Sequence, residues 1–450
     1  MVTINTTAGS FQGVTHHNIE QFLGIPYAQP PIGNRRFKHA SPRYSYDTLV
    51  DATRFRAIPP QPYNKLETFF SSKQHTFKQD EDCLYLNIWR QSSGKSKKPV
   101  IIYFYGGGFV NGHGSAELYT PEHIVAQHDV IVITFNYRLG ALGFLDWSYF
   151  NAQYDKNNGL SDQIALLKWV AHFIEYFDGD PNNVTLCGQS AGSMSIQALM
   201  QQPQLDHYYH QVMLLSGVLQ LDSVETGVHK AKHFDALIQQ HFSGKSIHDL
   251  DTQALLQLMA YDEQARGKSK GLELIYQPIN ETTMCRPLAH FNKPVVLGYT
   301  KDEGDCYIRN ESRKLEPQRF VNVMKLNHIN VDFNHVQTGQ QQAEAVTALY
   351  FIRPTLNLLH QMRENPRRWL IRFDWARPEY VDFASAYHIL DVVFWFGKMA
   401  ILKAHNIKLH TSDIELSKRM INDIVHYATT GTMPYAPYSI DHTEPHIYNN

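Results

Sequence analysis

The sequence predicts an α/β fold built on a mostly parallel central sheet with helices on both faces. Short runs rich in Val, Ile, Leu, Tyr and Phe alternate with segments of helical periodicity. The runs are almost continuously apolar, as strands covered on both sides require. In chain order they are 84–89, 100–105, 130–135, 184–187, 212–215, 295–297 and 369–373. Between the third and fourth, Ile164, Leu167, Trp169, Val170 and Ile174 recur at helical spacing, and Gly179, Asp180 and Pro181 are the expected stop. Residues from about 220 to 290 and from about 305 to 385 read as polar and mainly helical, with a Gln run at 340–342. They are expected as excursions that cover a site, within one domain spanning 1–450. No Pro- or Ser-rich linker and no fixed-period repeat interrupts the chain.

Composition narrows the function classes. The 450 residues carry 41 Lys plus Arg against 43 Asp plus Glu, a formal charge of −2, so no global field draws the chain to nucleic acid or anionic membrane. Hydrophobic residues at 43% and charged residues at 19% fit a globular protein and not a disordered one. Four scattered cysteines form no CxxC pair and are too few for a disulfide scaffold. The first residues lack a basic stretch followed by an apolar run, and no apolar run approaches the ~18 residues of a membrane span. A cytoplasmic protein with no membrane span is the expectation.

The chemistry is concentrated in a few places. Gly188-Gln189-Ser190-Ala191-Gly192 follows the apolar run 184–187 and precedes a helical run at 194–200. That context fits a nucleophile elbow, in which a tight strand-to-helix turn exposes a serine oxygen and glycines two residues away relieve collisions. The same pattern occurs as Gly267-Lys268-Ser269-Lys270-Gly271, but no apolar strand leads into it, and it reads as a surface loop. Attack by serine on a carbonyl creates an oxyanion that needs donors. Three glycines, Gly106 to Gly108, directly follow the run 100–105, where successive amides can turn into one pocket. His229 and His233 sit four apart on a predicted helix, but no third ligand accompanies them, and an exposed pair is expected. No HExxH, phosphate-binding loop or dinucleotide fingerprint occurs, so neither a metal nor an organic cofactor is expected.

These segments resemble the type-B carboxylesterase and cholinesterase-like branch of the α/β-hydrolases, including para-nitrobenzyl esterase-type enzymes. The resemblance runs through 24–31 with Arg36-Phe37, then 81–87, 136–140 and 158–163, to the elbow. It implies an α/β-hydrolase fold and a triad in the chain order Ser, acid, His. Ser190 is then the nucleophile, Glu303 the acid within 298–304, and His388 the base within 386–397. Asp302 and Asp305 flank Glu303, but the family pattern selects the glutamate before the glycine. The resemblance also implies pairs between Arg36 and Glu81 and between Arg138 and Asp162, and support of the triad from behind by Ser216 and Asp391. Two positions depart from the pattern: Asp178 stands where a small residue is usual, and Gln189 where glutamate is usual. Neither is expected to touch the proton path. Cys83 lacks an upstream partner for the disulfide of secreted relatives, and 56–82 contains no Trp for binding a choline cation.

The expected reaction is hydrolysis of a small-molecule carboxylic ester through an acyl-enzyme on Ser190. The amides of Gly107, Gly108 and Ala191 would hold the oxyanion. Amide or carbamate cleavage on the same triad and a catalytically silent binding protein are the alternatives. Phe109, Phe394 and Trp395 are expected near the mouth of the site. Activity is expected to fall at acid pH as His388 becomes protonated.

Overall fold

The computed structural model describes residues 1–73, 75–92, 97–439 and 441–449. Among them, twelve strands are joined in one sheet: β1 (Val2–Thr6), β2 (Gly9–His16), β3 (Ile19–Pro26), β4 (Val50–Asp51), β5 (Tyr85–Gln91), β6 (Lys98–Phe104), β7 (Ile131–Phe135), β8 (Gly179–Gln189), β9 (Gln211–Leu215), β10 (Val295–Thr300), β11 (Arg368–Phe373) and β12 (His446–Tyr448). The order is β1-β2-β3-β5-β7-β6-β8-β9-β10-β11-β12, with β4 beside β2. From β7 to β12 every neighbouring pair is parallel, whereas β1, β2, β3, β5 and β7 pair antiparallel.

All seven predicted runs are strands of this sheet. β7 and β9 are buried along their whole length, which is why they read as unbroken apolar runs. β1, β2 and β3 were not anticipated. In β1 and β2 buried positions are interspersed with exposed ones, and β3, though mostly buried, is broken by Glu20, Gln21 and Gly24, so the apolar signal is diluted. The predicted helix runs from Asn158 to Phe173 and tightens into a 3₁₀ turn, Ile174–Phe177. Its stop is Asp178, in a left-handed conformation (φ 63°), and not the Gly179, Asp180 and Pro181 that begin β8.

The excursions are helical as expected but differ in extent. The first contains the helices Val224–His241 and Thr252–Arg266. The second contains Pro317–Leu326, Gly339–Ala345, a π-helical segment Val346–Ile352 and Arg353–Gln361. It ends before β11, so the expected span to 385 overran a strand of the central sheet. Leu272, Ile308, Phe320, Val323, Met324 and Val346 help form a small apolar cluster separate from the main core, and this gives the second excursion a packing centre of its own.

Both expected buried ion pairs are present. Arg36 Nε and Nη2 donate to the two oxygens of Glu81 at 2.7 and 2.6 Å. Arg36 Nη1 also donates to the Leu250 carbonyl at 2.6 Å, and Thr252 Oγ1 donates to Glu81 Oε1 at 2.7 Å. The pair therefore fastens the start of the helix Thr252–Arg266 to the body of the fold. Asp162 accepts from Arg138 Nε, Nη2 and backbone N at 2.6–2.9 Å, with both side chains almost wholly buried. Removing one member of such a pair strands the other charge away from water. Asp162→Asn is expected to lower the free energy of unfolding by about 3–5 kcal/mol, measured by denaturant titration.

Candidate active site

In an open parallel sheet, ligand sites collect beyond the carboxyl ends of the strands, and the predicted residues lie there. β8 is paired on one side with β6 and on the other with β9, with Phe104 opposite Gly188 and Gln189 opposite Leu215. The Ser190 amide donates to the Leu215 carbonyl at 2.8 Å, so the turn is anchored on the sheet. Ser190 itself has φ 56° and ψ −125°, a conformation that L-residues rarely adopt. The helix Ala191–Met200 starts at the next residue. Gly192 permits that sharp return, because a Cβ there would lie 2.0 Å from the Phe104 carbonyl oxygen.

β6 leads into the triple glycine. Gly107 has φ 112° and a Cβ on it would meet the Asn111 carbonyl at 2.2 Å, so this turn requires glycine. Gly107, Gly108 and Ala191 line the same cavity as Ser190 and His388. Their three N–H groups have no hydrogen-bond acceptor among the described residues. The helix behind Ala191 adds the positive end of its dipole to the site.

Glu303 opens a 3₁₀ turn just beyond β10 and is fully buried. Its Oε1 accepts from the Thr300 amide at 2.8 Å, and its Oε2 lies 2.6 Å from His388 Nδ1. Asp302 does other work. Its amide donates to the Ala386 carbonyl and its Oδ2 accepts from the Ala386 amide, both at 3.0 Å, which draws the His388 loop beside Glu303. Asp305 is not hydrogen-bonded to His388 either, and burial raises its pKa. The Gly304 amide donates to Thr347 Oγ1 at 2.9 Å, tying the acid turn to the π-helical segment.

The far ring nitrogen corrects one expectation. His388 Nε2 faces the side-chain amide of Gln189, with Nε2 to Nε2 at 3.1 Å. No hydrogen bond joins Ser190 Oγ to His388 in this structure, an arrangement common in free enzymes of this chemistry, and Gln189 touches the base it was expected to avoid. Tyr307 and Phe351 pack around the imidazole, with ring centroids 5.6 and 5.0 Å away. No sequence signal pointed to Phe351, which depends on the π-helical register. Ser216 Oγ and Asp391 Oδ1 are buried without hydrogen-bond partners among the described residues, and neither side chain bonds to Glu303 or His388. Burial, followed by the Glu303 charge, pushes the Asp391 pKa up to about 7.

The cavity in front of Ser190 has a volume of about 830 Å³. Its walls come from the loop around 62–77, from the first excursion, including Met259 and Leu274, and from the second, including Tyr350 and Phe351. The segment 267–271 is a surface loop as expected, with Gly267, Lys268 and Gly271 exposed, but Ser269 is 9% exposed and lines this cavity, and no histidine lies in hydrogen-bond contact with its hydroxyl. Phe109, Phe394 and Trp395 are core residues and do not line the cavity. His229 is exposed and His233 Nε2 lies 3.4 Å from Asp262; the described residues contain no group of three metal-ligating side chains. No helix among them is long and apolar enough to cross a membrane.

A serine at a strained elbow, amides without acceptors beside it and a buried Glu–His pair on an α/β-hydrolase sheet fit a serine hydrolase, and the comparisons with known proteins make it a hydrolase of carboxylic esters. The chain belongs to the carboxylesterase family, whose model matches residues 1–343. It is 31% identical over 444 residues to the para-nitrobenzyl esterase of Bacillus subtilis, covering 95% of this chain and 90% of that protein. Phenmedipham hydrolase of Pseudarthrobacter oxydans is 31% identical over 310 residues, 67% of this chain and 61% of that protein. The solved structure of a thermophilic PNB esterase superposes with a TM-score of 0.91 at 28% identity, covering 99% of this chain and 96% of that chain.

All four cysteines are free thiols: Cys83 and Cys187 are buried, Cys306 is partly covered and Cys285 is exposed. Burial, reinforced by the Glu303 charge, pushes the Cys306 pKa up to about 12. Because the thiolate is the reactive form, Cys306 is expected to stay inert at neutral pH. Titration of the native protein with a disulfide reagent, without reductant, is expected to modify Cys285 rapidly and to reach four thiols only after unfolding.

Proposed function

We propose that Ser190, His388 and Glu303 carry the ester hydrolysis. Ser190 Oγ attacks the ester carbonyl while His388 Nε2 takes its proton. Glu303 holds the Nδ1–H tautomer and stabilises the imidazolium. The amides of Gly107, Gly108 and Ala191 receive the oxyanion, an effect of about 3 kcal/mol per donor in comparable sites. His388 then protonates the departing alcohol, and water repeats the sequence on the acyl-enzyme. The 2.6 Å contact between His388 Nδ1 and Glu303 Oε2, wholly inside the protein, carries this reading. Ser–base hydrogen bonds are often long in free enzymes and tighten in the substrate complex, so the resting arrangement is compatible with it.

The cavity supports a substrate with a sizeable apolar or aromatic group. Aromatic side chains, among them Phe70, Tyr119, Tyr307, Tyr350 and Phe351, form much of its wall. Aryl and benzyl esters match that lining, and the resemblance to a para-nitrobenzyl esterase agrees. Residues 1–450 act as one unit whose excursions cap the site, and the free thiols support a reducing, cytoplasmic setting.

Ser190→Ala is expected to lower kcat/KM for a nitrophenyl ester by about 10⁵-fold. Ser269→Ala is expected to keep turnover nearly intact, with any change confined to KM because Ser269 lines the cavity. Glu303→Gln is expected to reduce kcat by about three to four orders of magnitude without loss of fold, checked by circular dichroism. Parallel assays with nitrophenyl esters and anilides are expected to show turnover of the esters alone. Full activity of Ser190→Ala would remove the proposal.

A further inference from the structure

We propose that Gln189 is a positioning residue that holds His388 neutral in the resting enzyme and sets the acid limb of its activity. The inference rests on His388 being the general base. His388 Nδ1 is committed to Glu303 at 2.6 Å, and a carboxylate can only accept, so Nδ1 carries the proton. Nε2 then offers a lone pair, and the group 3.1 Å away must donate. The amide nitrogen of Gln189 supplies that donor. Gln189 is 1% exposed and His388 is 5% exposed, so little water competes for the contact.

The first glycine of the triple lies against this side chain and the elbow. A Cβ on Gly106 would lie 2.7 Å from Gln189 Oε1, 2.9 Å from the Gln189 carbonyl oxygen and 2.9 Å from Ser190 Cβ. Gly106 does not need a left-handed backbone, and crowding by the elbow together with the amide is the physical reason for glycine there. The lone pair that Gln189 engages is the one that must take the Ser190 proton. Productive binding therefore exchanges the Gln189 N–H for the Ser190 hydroxyl at Nε2.

Protonation reverses the fit. An imidazolium carries a hydrogen on Nε2, which would point at the Gln189 N–H, so the amide must turn over or separate. With its nitrogen toward Nε2, the amide therefore favours the neutral ring. Glutamate at 189 would present only acceptors and a charge, favouring the imidazolium instead. The other titratable groups around the ring are Glu303 on Nδ1, Asp391 on the following helix and Tyr307 against one face, with Cys306 next to Glu303. These are common to every Gln189 variant, so differences among variants report on position 189.

The test is kcat/KM for a soluble nitrophenyl ester across the acid limb, for the parent, Gln189→Glu and Gln189→Met. Gln189→Glu is expected to move the limb upward by about one pH unit, as a carboxylate within hydrogen-bond reach of a histidine does. Gln189→Met removes the donor without adding charge and is expected to move the limb upward by less. Superimposable profiles, or a downward shift in either variant, would overturn the role of Gln189. If Gln189→Glu does not fold, the direction of the shift in Gln189→Met decides alone. His388→Ala separates the two readings: if it retains turnover, the base assignment fails whatever the Gln189 variants do.

Discussion

The strained backbone at Ser190 is the constraint on which the rest of the site depends. A residue held in such a conformation costs of the order of 1–3 kcal/mol and persists only where the surroundings over-determine it. Here the determinants are β8 locked between β6 and β9, the Ser190 amide bonded to Leu215, and the helix Ala191–Met200 packed so closely that only glycine fits at 192. The turn made by this strain leaves Ser190 and Ala191 lining the cavity. The buried parallel sheet therefore acts as a clamp.

Around that fixed point the remaining groups are delivered by separate parts of the chain. The triple glycine continues β6 and the acid turn follows β10. The His388 loop is drawn in by the two-way clasp between Asp302 and Ala386. The excursions are fastened at positions that also matter for the fold, with Arg36 and Glu81 holding the first and Thr347 meeting the acid turn from the second. The cap and the groups beneath it are thereby in direct contact. The segment that bonds to Gly304 also walls the cavity with Tyr350 and Phe351, and Phe351 packs on His388.

Much of this was legible in the sequence because the signals are local. An apolar strand followed by glycines, or by Gly-x-Ser-x-Gly and a helical run, encodes its geometry in adjacent residues. Glu303 and His388 became legible through their surrounding motifs, and the structure brings them together and leaves Asp302 and Asp305 with other roles or partners. What stayed hidden depends on side-chain direction and long-range packing. Nothing beside Gln189 announces that the elbow turns its amide onto His388. Ser269 looked exposed because its neighbours are lysines, yet the excursion folds it against the cavity. Phe109, Phe394 and Trp395 looked like cavity walls and are core, because the backbone turns them inward. The strands β1 to β3 escaped notice because exposed positions in the first two, and Glu20, Gln21 and Gly24 in the third, dilute their apolar pattern.

The central claim is that one strained serine, and no other, is the nucleophile. Diethyl para-nitrophenyl phosphate tests it directly, because attack by an activated serine forms a stable O–P bond and expels para-nitrophenolate. Incubation followed by peptide mass mapping is expected to find one diethylphosphoryl group per chain, on Ser190, with loss of esterase activity in proportion to labelling. A label on Ser269 or any other serine that tracks the loss of activity, or complete inactivation with Ser190 unmodified, would contradict it.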